Sequence, residues 1–357
     1  MSEFLDYNPY SLREEEKSKR LIEVLQNLTL FHEENCDKYK NILNGINYKN
    51  REMKYLKDLP YLPVRLFKEL DLVSVPKEEI FKITTSSGTS GQTPSKIYLD
   101  KETVSYQQKV LAKIVSSFFE KNRLPLLIID SPSVLKNREM FSARGAGILG
   151  FSMFGTKRIY ALNDDMSINL EAITNFLNEF GKEEFMIFGF TFMVWEFYMS
   201  LVNEKINIDL KNGILIHGGG FKKLEKLNIS NDIFKKELKE YTNLSKVHNY
   251  YGMVEQTGSI YMECKEGHLH CSNFSDIIIR NPFDFSEMNT GDEGIIQVIS
   301  TVAKSYPGHS LLTEDMGTLL GIDDCKCGRM GKYFKINGRI KSAEIRGCSD
   351  TYGETVK

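Results

Sequence analysis

Apolar positions recur along the chain in two rhythms. From Ser11 to about Lys40 helix-forming residues dominate, and Leu21, Leu25, Leu28 and Phe31 fall at the spacing of one helix face. One or two amphipathic helices are predicted there. Leu59–Lys68 (LPYLPVRLFK) holds two prolines, which bias preceding residues towards extended backbone, and reads as a crossover into the core. Short apolar runs suited to buried strands follow at Leu124–Asp130, Phe185–Phe190, Gly213–His217 and Lys246–Tyr250. They alternate with helical stretches at Thr103–Phe119, Asn169–Phe180 and Ile233–Tyr241. This alternation predicts an α/β fold of largely parallel sheets layered with helices. From about Gly267 shorter strands (Asp276–Arg280, Gly294–Ser300) and the turn Thr290–Gly294 predict a small β-rich subdomain. No repeats, low-complexity tract or disordered linker interrupt the pattern.

Phe185–Val202 is apolar apart from Glu196 and approaches the length of a bilayer span. Gly189 and Thr191 split it, and Glu196 would be costly at mid-membrane. A buried strand running into a buried helix is the expectation, with no membrane span, and Trp195 and Glu196 lining or buttressing a pocket. His32 and His309 are expected at the surface or in loops.

Composition narrows the function classes. Lys plus Arg (46) nearly cancel Asp plus Glu (48), so no charge excess points to nucleic acid. The N-terminus, MSEFLDYNPYSLREEEK, lacks the basic-then-apolar layout of a signal peptide. Six cysteines in 357 residues are too sparse for a disulfide framework. A cytoplasmic location with reduced thiols is expected.

The chemistry concentrates in a few blocks. Ile83–Tyr98 (ITTSSGTSGQTPSKIY) contains Thr84, Thr85, Ser86, Ser87 and Thr89 within six residues, with Gly88, Ser90 and Gly91 allowing close backbone approach. Backbone N–H groups and hydroxyls there suit phosphate oxygens, with Lys96 adding charge. It is not a Walker A loop, because no Gly-Lys-Ser/Thr follows at the required distance. Alone, such a loop is more often a surface turn.

Downstream, Asn249–Gly258 (NYYGMVEQTG) offers the aromatics Tyr250 and Tyr251 beside Gly252, then Glu255, a set able to stack a purine and hold Mg²⁺. Leu312–Gly317 offers Asp315 for ribose hydroxyls, and Asn337–Lys341 offers Arg339 for phosphate.

In this order and spacing the four blocks resemble the adenylate-forming superfamily of acyl-CoA synthetases, adenylation domains and luciferases. LPVRLFK, HEENCDKY, GFTFMVWE and HGGGFKK, taken with them, resemble the acyl-protein synthetase (LuxE-type) family over nearly the whole chain. The resemblance implies ATP-dependent activation of a carboxylic acid to acyl-AMP; the luminescence relatives suggest a long fatty acid, and a shorter or functionalised acid stays open. It implies the superfamily's N-terminal fold without its full C-terminal domain, since only sixteen residues follow Lys341. The implied layout is a helical region at 1–60, an adenylating core at 61–266, a β-rich part at 267–340, and a hinge with short tail at 341–357.

By the same resemblance Thr85–Ser90, Gly91 and Lys96 meet the β- and γ-phosphates, Glu255 holds Mg²⁺, and Tyr251 with Tyr250 and Gly252 meets adenine. His217, Gly218, Gly219 and Gly220 form a backbone wall against adenine or the acyl carbonyl, Asp315 holds ribose, and Arg339 with Lys341 meets phosphate. The superfamily usually has Thr before this Glu; here Val254 removes one hydroxyl contact. The lysine of the missing domain must be replaced by another cation, with Lys96, Arg339, a C-terminal lysine or a partner's residue as candidates.

Cys348, seven residues past Lys341, matches the cysteine that in the family takes the acyl group as a thioester for delivery to a reductase partner. Two other outcomes stay open: transfer to CoA or a carrier thiol, and a non-catalytic nucleotide-binding subunit of a reductase complex. An esterase reading of HGGG lacks the Gly-x-Ser-x-Gly elbow it needs.

Cys264, His268, His270 and Cys271 lie close in sequence, and Cys325-Lys-Cys327 follows. Cys/His pairs from two hairpins can make a closed tetrahedral zinc site. Cys-x-Cys-Gly-Arg also resembles a turn of phenylacetate-CoA-ligase relatives, some of which bind structural zinc. Cys264, His270, Cys325 and Cys327 are the expected Zn²⁺ ligands; the alternative is a set of reduced thiols.

Overall fold

A computed structural model describes residues 2–48, 53–86, 93–121, 123–135, 143–221, 224 and 227–340. Contacts divide the chain into two compact units, one of Met1–Phe118 with Gly252–Glu344, the other containing Phe119–Tyr251.

The first unit begins with helices α1 (Glu14–Asn35) and α2 (Asp37–Gly45). Leu21, Leu25 and Leu28 of α1 are buried at helical spacing, and each adds about 1.5–3 kcal/mol of apolar burial. Strand β1 (Leu62–Pro63) and the single turn α3 (Leu66–Glu69) realise the proline-rich crossover. An antiparallel ribbon, β2 (Ile80–Thr85) with β3 (Lys96–Asp100), then leads into α4 (Lys101–Ser116), whose first turn is capped by the Asp100 carboxylate accepting from the Thr103 N–H at 2.7 Å.

The second unit holds five parallel strands: β4 (Leu124–Ile128), β5 (Gly155–Tyr160), β6 (Phe185–Phe190), β7 (Gly213–Gly218) and β8 (Lys246–Tyr251). Their order is β8-β7-β6-β4-β5, and the links are parallel throughout. Every residue of β6 and β7 is buried, which explains why they read as unbroken apolar runs rather than alternating ones. Helices α5 (Ala143–Ser152), α6 (Leu170–Phe180), α7 (Thr191–Asn203) and α8 (Asn231–Thr242) connect them.

The remaining strands return to the first unit: β9 (Tyr261–Glu263), β10 (Leu269–His270), β11 (Ser275–Arg280), β12 (Glu293–Ser300), β13 (Ser310–Ile322) and β14 (Lys332–Arg339). They form an antiparallel run β11-β12-β13-β14-β10-β9, and β1 joins β13 in parallel.

The apolar stretch at 185–202 is strand β6 followed by helix α7, as expected from its sequence. No helix among the described residues is long and apolar enough to cross a membrane. Trp195 packs on Tyr198 (5.0 Å between ring centroids) and on Phe234 of α8 (6.1 Å), so its contacts are those of a helix–helix seam.

The expectation is overturned for His32, which lies within α1, while His309 does lie in the loop before β13 but not at the surface. Both are fully buried, with rings stacked 5.1 Å apart at 23°. Thr29, Ser74 and the Ala303 carbonyl partner both ring nitrogens of His32 and the Nε2 of His309, which is how these histidines tolerate a core position.

A buried charge cluster ties α1 to the sheet. Lys17 lies 2.8 Å from Glu14 and 3.3 Å from Asp276, and Lys332 lies 3.0 Å from Asp276. Burial alone would raise the Asp276 pKa, yet Lys17 and then Lys332 hold it well below the usual carboxylate range.

Candidate functional site

In the first unit, β2 and β3 pair to their last residues, Thr85 opposite Lys96. Beyond that pair the Ser86 N–H donates to the Ser95 carbonyl (3.1 Å), and the Ser95 N–H donates to Ser86 Oγ (2.9 Å). Thr85 and Lys96 are exposed at this end of the ribbon. Ser87, Gly88, Thr89, Ser90 and Gly91 lie outside the described residues.

Glu255 sits on a short 3-10 turn, Val254–Gln256, and is buried. Its carbonyl accepts from Tyr306 Oη at 2.8 Å, and the neighbouring Gln256 amide donates to the carbonyls of Val298 (3.3 Å) and Gly308 (2.9 Å). A Cβ on Gly258, at φ +92°, would meet the Gln107 carbonyl at 2.5 Å, so glycine is required where the chain leaves this turn. Tyr306 and Gln256 were not singled out from sequence; nothing local marks a tyrosine in a loop as a clamp on a distant turn.

Asp315 on β13 and Arg339 on β14 are cross-strand partners. Arg339 Nε lies 3.1 Å from Asp315 Oδ1, and its Nη2 lies 2.5 Å from Glu314 Oε2. The two side chains expected to meet ribose and phosphate therefore hold each other, and Glu314 joins them.

The second unit carries the other group at the carboxyl ends of its strands. Ligands of open α/β sheets sit outside the carboxyl ends of the strands, although chain order in this sheet reverses at β4, between β5 and β6, away from β7 and β8. His217 and Gly218 end β7, beside Tyr250 and Tyr251 ending β8, with Gly218 paired to Tyr250. A Cβ on Gly218 would strike the Tyr250 ring at 2.5 Å, so the ring lies directly on the glycine backbone. Gly219 and Gly220 follow at φ +97° and +76°, a path side chains rarely allow. Gly252 opens the next segment. Lys341 and Cys348 lie outside the described residues.

The structure brings the Cys/His set together. Cys264 and His270 flank the β9–β10 hairpin, Cys325 and Cys327 lie in the β13–β14 turn, and β10 pairs with β14. The four ligand atoms lie within 4.8 Å of one another. Cys264 Sγ is 3.9 Å from Cys325 Sγ, and Cys327 Sγ is 3.4 Å from His270 Nε2. Tetrahedral zinc with Zn–S near 2.3 Å separates its ligand atoms by about 3.5–3.8 Å, so the donor set fits. Burial, and then the neighbouring thiols, push Cys325 up to about 12, while burial brings His270 down to about 3. Burial thus disfavours charge at Cys325 and His270, and a dication is what would stabilise thiolates there.

The fold is similar to that of 2-hydroxyisobutyryl-CoA ligase in an open conformation with 2-HIB-AMP and CoA, at TM-score 0.73 and 18% identity, covering 95% of this chain and 78% of that one. The same ligase in its thioesterification state gives TM-score 0.72 at 18% identity, over 94% of this chain and 70% of that one. At that identity the likeness is one of fold. No curated protein matches the sequence. A family model, acyl-protein synthetase LuxE, matches residues 2–357. With that match spanning the fold just described, the chain belongs to the LuxE family of acyl-protein synthetases, and it is an ATP-dependent, AMP-forming ligase.

Proposed function

We propose that this ligase activates a fatty acid and passes the acyl group to its own Cys348 for delivery to a reductase partner. A substrate carboxylate oxygen attacks the α-phosphorus of ATP, the bond to the β-phosphate breaks, and pyrophosphate leaves. No general base is needed, because the carboxylate is already ionised near neutral pH. The Cys348 thiolate then attacks the acyl carbonyl and AMP departs, leaving a thioester.

The chain's residues act by positioning anions and offsetting charge. Thr85, Ser86 and the segment through Gly91 take the β- and γ-phosphates with Lys96. Tyr251, with Tyr250 and the Gly218–Gly220 backbone, takes adenine; Asp315 takes ribose, and Arg339 and Lys341 take phosphate. Glu255 would hold Mg²⁺, which shares its oxygen ligands with nucleotide phosphates and screens their charge. Cys264, His270, Cys325 and Cys327 would hold a structural Zn²⁺. Residues 341–357 act as hinge and tail behind the β-rich part.

The observation that carries this reading is the family match over residues 2–357. Pyrophosphate release across a panel of acids tests it. Release that depends on a long-chain acid is expected; release without any acid, or none with every acid and the reductase present, would overturn it.

A further inference from the structure

Thr191 opens α7 directly after β6, next to the carboxyl end of β7. Its Oγ1 lies 3.0 Å from the Gly218 carbonyl and 2.9 Å from His217 Nδ1. A hydroxyl has one proton, and a carbonyl can only accept. The Thr191 proton therefore goes to Gly218, and His217 must supply the other, from Nδ1–H. The three groups form one directed chain, His217 to Thr191 to Gly218.

His217 is fully buried, with its ring 4.8 Å from Phe234 and 5.9 Å from Phe221. Among the described residues its Nε2 has no hydrogen-bond partner, which suits a bare lone pair better than an N–H among aromatic rings. Burial pushes its pKa down to about 3, so the ring stays neutral at physiological pH.

The chain fixes a peptide plane. The Gly218–Gly219 peptide is trans, as are all among the described residues, so the Gly219 N–H lies opposite the Gly218 carbonyl in the same plane. With that carbonyl held back by Thr191, the N–H faces away from the α7 terminus. Tyr250 covers the Gly218 α-carbon and limits rotation of the plane further.

We propose that Thr191 and His217 are positioning residues that aim the Gly219 N–H at the bound nucleotide. This rests on the reading of Gly218–Gly220 as the nucleotide's backbone wall. Neither side chain touches the ligand; a preorganised donor needs no reorganisation when the ligand arrives.

Calorimetric titration of the full chain with ATP, alongside acid-dependent pyrophosphate release, tests the pair. Thr191→Val keeps the shape and removes the hydroxyl; about five- to tenfold weaker ATP binding is expected, with the acid's KM unchanged. Thr191→Ser restores the hydroxyl and should bind within about twofold of wild type. Nitrogen-15 spectra of wild-type His217 should show the proton on Nδ1. Wild-type affinity in Thr191→Val, failure of Thr191→Ser to recover, or a proton on Nε2 would each overturn the proposal. If wild type binds ATP but releases no pyrophosphate, the adenylation reading falls while the affinities still decide the pair. If wild type binds no ATP, both fall.

Discussion

Arg339 Nε lies 3.1 Å from Asp315 Oδ1 across the β13–β14 ladder. Each was expected to hold a different part of the nucleotide, yet in the structure they hold each other, with Glu314 at 2.5 Å from the same guanidinium. Such a pair acts as a unit. Arg339→Gln and Asp315→Asn should each lower kcat/KM for ATP by about 10- to 100-fold, and the double variant should lose less than the product of the two. Steady-state pyrophosphate release measures all three; strict multiplicativity would mean the residues act separately.

The acyl acceptor is tested by mass. Intact-protein spectra after incubation with ATP and a fatty acid should show one acyl adduct, lost on thiol treatment and absent in Cys348→Ser. An adduct that persists in Cys348→Ser would remove Cys348 from the reaction.

Metal analysis of chelator-washed protein should find one zinc per chain. Cys325→Ser should release it and lower the thermal midpoint by several degrees, because the two hairpin ends it would join lose their link. Protein free of zinc and as stable as before would end the assignment.

The buried histidines set a pH dependence. Thr29 Oγ1 donates to the Leu25 carbonyl, so His309 Nε2 donates to Thr29, leaving its Nδ1 buried and without a partner among the described residues. Burial lowers His309 to about 3 and, with His309 beside it, takes His32 well below its usual value. Both folded-state values lie below the unfolded one, so the stability these groups hold is full above about pH 6.5 and is lost as pH falls towards the folded values. Each histidine should add a slope of about 1.4 kcal/mol per pH unit between those limits. Urea titrations at stepped pH should show the slope reduced by about one proton in His309→Phe.

Lys17 is fully buried between Glu14 and Asp276. Lys17→Met should cost about 3 kcal/mol or more, since it leaves buried carboxylates short of a cation. A shift in the urea midpoint with an unchanged m value is the expected signature.

Much of the α/β body was legible in the chain. The runs at 185–190 and 213–217 are strands because parallel strands buried on both faces need no alternation; the run at 246–250 is also a strand but largely half-buried, and Asn169 and Ser230 cap α6 and α8 as their side chains allow. The Cys/His set was named from its spacing together with the resemblance of its Cys-x-Cys-Gly-Arg turn, and hairpin ends place such residues together. The thirteen-residue strand β13 was less visible: Gly317 and Gly321 interrupt it, and each sits where a side chain would strike Ile296 or Tyr333. Helix α5 and strand β5 gave no strong pattern, since ARGAGILGFS is small and glycine-rich. The burial of His32 and His309 was not legible either, because nothing local signals a partner hundreds of residues away. For the candidate site, sequence named residue types; the Arg339–Asp315 pairing and the Thr191–His217–Gly218 chain are products of strand register.

The first unit is assembled from both ends of the described chain, so the order of synthesis matters. Residues 119–251 can close their own sheet as soon as they emerge, whereas β1 must wait for β13 and Lys17 for Asp276 and Lys332. For most of translation the first helices would carry an apolar stripe and a lysine with no place to bury them. Non-local pairings of this kind fold slowly and leave sticky surface exposed. Ribosome-associated chaperones should therefore govern the yield of this ligase more than its final stability does.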